Sequence, residues 1–214
     1  TKAVSWTEND GDGCGFDYSE FSVNETTWTA SSSVTDLADI TDFSGLSDGS
    51  FTLYMRGYDV VGNSSTVSIN LIKDTQAPTV LSAVASDNML SIADHGNVFS
   101  VAVTFNEGMD IGTNPTVTLT SNSTVATTNS GGSWNNPTNT VFTATFGTIN
   151  GGSSEEIADL DVTVSGAKDD TEDDGNLMSS QTVNDVFSID TKAPTCSTLV
   201  VDTDPIYEGN LVQG

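Results

Sequence analysis

Cationic side chains are nearly absent from this chain. Lysine and arginine together number 5 against 30 aspartates and glutamates, a formal net charge of −25. A field of that sign repels nucleic acid and anionic membrane surfaces, so neither is expected as a partner. Cysteine is scarce as well. Cys14 and Cys196 fall in different repeats on the reading below, so both are expected as free thiols rather than a disulfide. The one histidine, His95, lies in the polar turn ADHGN without a visible partner, and no Cys–His set of the kind zinc needs can be assembled. No run approaches the roughly 18–20 apolar residues of a membrane span, and no basic–apolar–small leader pattern opens the chain. There is no G-x-S-x-G elbow and no phosphate loop. The pair Glu155-Glu156 matches a glycosidase dyad in residue type only, so an enzyme is not expected.

Thr, Ser, Val and Asn recur throughout, a balance that favours strands. VFSVAVTF at 98–105 alternates strictly, placing Phe99, Val101, Val103 and Phe105 on one face. TVFTATF at 140–146 repeats the pattern with Phe142, Ala144 and Phe146, and LDVTV at 160–164 with Leu160, Val162 and Val164. SFTLYMRGYD at 50–59 sets Phe51, Leu53 and Met55 on one side. Gly, Asn, Asp, Ser and Pro clusters such as SGGSWNNPTN at 130–139 separate these runs, and no stretch has a convincing helical period. The expectation is an all-β chain of tandem Ig-like or fibronectin-III-like antiparallel β-sandwiches joined end to end.

The repeats come into register through shared phrases. DTQAPTV at 74–80 returns as DTKAPTC at 190–196. VSWTEND at 4–10 matches VTFNEGMD at 103–110, with Val4, Trp6 and Glu8 on Val103, Phe105 and Glu107. YDVVGN at 58–63 corresponds to the longer KDDTEDDGN at 168–176, and ADHGNVFS at 93–100 to IYEGNLVQ at 206–213. The implied division is 1–77, a sandwich lacking its first strand; 78–191, a complete sandwich; and 192–214, the first-strand remnant of a third repeat. The chain thus reads as a piece of a longer array. Proline cannot continue a central ladder and holds its predecessor extended, so Ala77-Pro78 and Ala193-Pro194 make short, stiff junctions.

With strands lettered A to G, strand A starts at the end that carries the BC and FG loops, and strand G finishes at the opposite end. Acids occupy the matching positions. The linker offers Asp74, the BC loop Glu107 and Asp110, and the FG loop Asp169, Asp170, Asp173 and Asp174. These seven carboxylates are expected to converge on one junction. Calcium, with about six to eight oxygen ligands at roughly 2.3–2.6 Å, suits that set better than magnesium's stricter octahedron. In the first repeat Glu8, Asp10, Asp12 and Asp59 are the equivalent candidates, and Asp190 awaits the loops of a third repeat. Glu8-x-Asp10-x-Asp12-Gly13 begins like an EF-hand loop, but its closing position is Ser19 and no flanking helices are expected. Asp, Asn and Gly are also ordinary turn formers, and the charge can equally be a solvating acidic surface. Trp28 and Trp134, near loops, can stack on sugar or pack against their own strands.

GLSDGSFTLYMRGYDVVGNSSTVSINLIKDTQAPTV resembles the tail of a bacterial Ig-like repeat of giant RTX-type or biofilm-associated surface adhesins, and VFSVAVTFNEGMD resembles the B strand and BC loop of related repeats. Within the first stretch, Leu46, Gly49 and Phe51 stand in the corner positions of fibronectin-type sandwiches, with Phe51 lacking the usual hydroxyl. The resemblance implies an extracellular extender module at the bacterial cell surface, stiffened by Ca2+, partnered by neighbouring repeats of its own chain and serving distal domains that bind a host or surface glycan or protein. The alternatives are a glycan- or protein-binding module, or an accessory array of a secreted polysaccharide-degrading enzyme.

Overall fold

The computed structural model describes residues 3–9, 13–120, 123–126, 131–135, 138–169 and 175–199. It divides into two units, Thr1–Gln76 and Ala77–Gly214, each with its own hydrophobic core. Regular structure is strand, with short 3-10 turns and no α-helix among the described residues.

The first unit holds β1 (Phe16–Ser22), β2 (Thr29–Ala30), β3 (Gly49–Asp59) and β4 (Ser64–Lys73) in one sheet of order β2-β1-β3-β4. Phe21 and Leu53 are buried on its inner face, with Phe51, Met55 and Leu71 packed beside them. Where the sequence reading expects a second sheet, the cover among the described residues is a chain of 3-10 turns at Ser31–Ser33, Leu37–Asp39 and Phe43–Gly45. The cause is a period of three. Val34, Leu37, Ile40, Phe43 and Leu46 recur every third residue, and a 3-10 turn, with three residues per turn, sets all five on one side. All five join the core. The middle turn is held by a capping box, in which Asp36 accepts from the N–H of Ala38 while the Asp39 carboxylate accepts from the N–H of Asp36. Gly49, at φ 120°, permits the corner into β3, and Phe51 meets Phe43 edge-on at 5.6 Å.

The second unit has two four-stranded sheets. One runs β5 (Val80–Ala85), β7 (Val98–Phe105), β10 (Val141–Thr148) and β9 (Gly131–Trp134); the other runs β6 (Met89–Ser91), β12 (Gln181–Asp190), β11 (Glu156–Ser165) and β8 (Thr116–Leu119). All pairs are antiparallel except β6 with β12. The first stretch of this unit therefore changes sheets between β5 and β6. The alternating faces meet in one core. Phe99, Val101, Val103, Phe105, Phe142, Ala144 and Phe146 come from one sheet, and Leu90, Val117, Leu160, Val162, Val164, Phe187 and Ile189 from the other. Phe99 lies 4.7 Å from Phe187, centroid to centroid, across the two layers. The arrangement is sandwich-like.

Candidate metal centre

One end of the second unit is built around the entry of β5. Asn106 accepts from the N–H of Thr79 through Oδ1 at 2.6 Å, and its own N–H donates to the Thr79 carbonyl. Gln181, opening β12, accepts from the N–H of Val80 at 2.6 Å. The loop after β7 and the loop before β12 are laced together beside this entry. Met109 bridges Asp169, Asp110 N–H donates to the Lys168 carbonyl, and the fully buried Met109 side chain anchors the first loop in the core.

Asp169 is the buried acid of this end, 1 % exposed. Its Oδ1 accepts from the N–H of Asn176 at 2.7 Å and its Oδ2 from Asn176 Nδ2 at 2.8 Å. That clasp closes the loop between Asp169 and Gly175-Asn176 and satisfies part of a carboxylate that would otherwise be costly to bury. Glu107, half-buried, accepts from Asn106 Nδ2. One carboxylate oxygen of Glu107 and one of Asp169 lie within 4.8 Å of each other. Two oxygens bound to one calcium at roughly 2.3–2.6 Å are at most about 5 Å apart, so the pair fits one such ion, and an all-oxygen donor set is of the kind calcium takes. When bound, the cation supplies positive charge that offsets the repulsion between these two groups.

Asp110 does not join this pair. Its Oδ1 accepts from Gly112 N–H and its Oδ2 from the Thr113 hydroxyl, and those bonds, Thr113's first, hold its carboxyl below the usual range. Asp74 belongs to the first unit, where it is exposed and accepts from Gln76 N–H. Asp170, Asp173 and Asp174 lie outside the described residues, as do Asp10 and Asp12 of the first repeat.

The first unit repeats the clasp. Asp59 Oδ2 accepts from Asn63 Nδ2 at 2.7 Å, and Oδ1 from the N–H groups of Asn63 and Val61. The Asn63 side chain, then the backbone, holds the Asp59 carboxyl below its ordinary value. Glu8 accepts from Trp6 Nε1 and from the Ser19 hydroxyl, and Ser19 itself is buried within β1 rather than closing a loop. Glu8 and Asp59 both line a cleft of about 340 Å³. Asp190 is exposed and accepts from Lys192 N–H.

The remaining candidates are engaged structurally. Burial pushes the Glu155 carboxyl up, but hydrogen bonds from Thr124 and Ser123 outweigh it and leave the group below its usual range, while Glu156 pairs with Lys192 at 2.9 Å. His95 is exposed and accepts from Gly151 N–H through Nδ1. Trp28 lies under the Arg56 guanidinium at 3.9 Å, and Arg56 also pairs with Glu20 at 2.6 Å. Trp134 packs on Phe105 and Phe142. Cys14 and Cys196 are free and exposed. No helix among the described residues is long and apolar enough to cross a membrane.

Fold and site thus define an all-β chain with a sandwich-like second unit and an acidic pair at its entry end. No family model, curated protein or solved structure matches the chain.

Proposed function

We propose that this chain is a non-enzymatic structural extender of a bacterial cell-surface adhesin, in which Ca2+ rigidifies the linkers between successive Ig-like repeats. The observation that carries the reading is the approach of Glu107 and Asp169 beside the strand that opens the second unit. Asp74 precedes Thr79 by five residues, so chain connectivity alone keeps it within about 17 Å of that strand's start. A cation held by Glu107 and Asp169, with Asp74 and the acids at 170, 173 and 174 as further ligands, ties the linker to the repeat that follows it. Its partners are then the neighbouring repeats of the same chain, its location is extracellular, and any glycan or protein target belongs to distal domains. The split of the first strand between two sheets supports the Ig-like reading.

Calcium at a hundredfold excess over its Kd stabilises the unit that binds it by about 2.7 kcal/mol. Chelator is therefore expected to lower Tm and raise the radius of gyration by small-angle scattering. Glu107→Gln, which leaves the Asp169–Asn176 clasp in place, is expected to lose most of the calcium response, and Glu107→Gln with Asp169→Asn all of it. Melting and scattering curves that ignore excess chelator refute the reading.

A further inference from the structure

The sequence holds one Asn-Gly pair, Asn150-Gly151, and it lies in the turn between β10 and β11. Glycine puts no side chain between its own nitrogen and the carboxamide before it, so the two can meet. Asn150 is exposed and Gly151 is buried. A Cβ on Gly151 would lie 3.0 Å from His95 Cβ and 3.1 Å from the Ile92 carbonyl oxygen, so glycine lets the turn press closely on residues 92–95. Two backbone bonds of 2.9 Å hold that approach. Gly96 N–H donates to the Ile149 carbonyl, and Ile149 N–H donates to the Asn97 carbonyl. A capping box between Ser91 and Asp94 fixes the 3-10 turn Ile92–Asp94 that His95 ends.

His95 Nδ1 accepts from the Gly151 N–H at 3.0 Å. Accepting there makes Nδ1 the unprotonated nitrogen of a neutral imidazole. A base thus sits on the one backbone nitrogen placed to attack Asn150. The carboxamide is turned the same way. Asn150 Oδ1 accepts from Gly152 N–H and Asn150 Nδ2 donates to the Ser153 hydroxyl, both at 3.3 Å, so the side chain folds over the backbone that follows it. Electrophile, nucleophile and base are gathered in one turn.

We propose that Asn150 and Gly151 form a self-modification site, at which His95 is the general base for conversion of the asparagine to aspartate and isoaspartate. The Gly151 nitrogen forms a bond to Asn150 Cγ as His95 Nδ1 takes its proton. The Cγ–Nδ2 bond then breaks, and the proton passes to Nδ2, which leaves as ammonia with the electron pair of that bond. The product is a cyclic imide joining residues 150 and 151. Solvent water opens it at either carbonyl, leaving a carboxylate at position 150 and no change of oxidation state. Opening at the main-chain carbonyl routes the backbone through the former side chain and lengthens it by a methylene. That change falls on a turn tied to the end of β12, where the buried Thr191 hydroxyl donates to the Ser153 carbonyl. The site lies at the opposite end of β11 from Asp169, so it is independent of the cation reading.

The test incubates the 214-residue chain at neutral pH, folded in buffer and unfolded in guanidinium chloride, and follows conversion at each asparagine by peptide mass spectrometry. Asn150 is expected to convert at least roughly tenfold faster in the folded chain than in the unfolded one. His95→Gln, at an exposed position, removes the base and is expected to slow the folded chain at least roughly tenfold while leaving the unfolded rate unchanged. A role confined to holding the turn predicts the reverse, since freeing Gly151 N–H would raise the folded rate towards the unfolded one. Isoaspartate is expected beside aspartate, as an imide requires. A folded chain that converts no faster than the unfolded one, a His95→Gln chain that converts as fast as the parent or faster, or aspartate as the sole product overturns the proposal.

Discussion

At the scale of single residues, the most informative groups are the two aspartates that clasp an asparagine. Asp59 and Asp169 use both carboxylate oxygens on Asn63 and Asn176. The sequence shows their equivalence through the shared Gly-Asn, but not that the asparagine supplies donors to each oxygen, because that depends on how the loop turns back. Asp59 tests the clasp cleanly. Its folded pKa lies below the unfolded value of about 4, so the stabilisation it confers is complete above that pH and disappears as pH falls through the lower folded value. Asp59→Asn is expected to lower the Tm of the first unit at pH 7 and to match the parent near pH 2. An equal deficit at both pH values, in thermal melts, contradicts this account.

At the scale of elements, alternation and period decide what forms. The strands of the second unit were legible because Phe99 to Phe105, Phe142 to Phe146 and Leu160 to Val164 alternate without interruption, and each of those side chains is buried. The cover of the first unit was legible in principle through its period of three from Val34 to Leu46, a signal that a search for periods of two and 3.6 passes over. Pairing geometry adds a constraint that composition hides. A Cβ on Gly132 of β9 would lie 2.3 Å from Phe142 Cζ and 2.6 Å from the Thr143 carbonyl, whereas one on Gly45 would meet nothing. Gly132→Ala is therefore expected to cost about 1–3 kcal/mol in a denaturant titration, and Gly45→Ala to lack that penalty. Equal stability of the two variants would show that β9 yields freely.

At the scale of the whole molecule, two units of unequal core share one acidic chain. Among the described residues the first core has 5 buried hydrophobics and the second 20. Apolar burial is the main stabilising term, so the first unit is expected to unfold at the lower temperature. With −25 charges in total, added monovalent salt is expected to raise both transitions by screening self-repulsion. Scanning calorimetry checks this: a single cooperative transition indifferent to salt would contradict both expectations.

The order of residues alone determined the strand content, the repeat register and the acids worth watching, since alternation, turn chemistry and phrase repetition are local properties of a chain. Tertiary structure decided which acids meet. Glu107 and Asp169 are distant in sequence and come together only because β7 and β11 end at the same edge of the second unit, while Asp110, no less promising as a letter, spends its carboxylate oxygens on the Gly112 N–H and the Thr113 hydroxyl of its own turn. It also decided that Val67 and Ile69 remain in solvent, because whether an apolar face is covered depends on which other strand reaches it, and no local pattern records that.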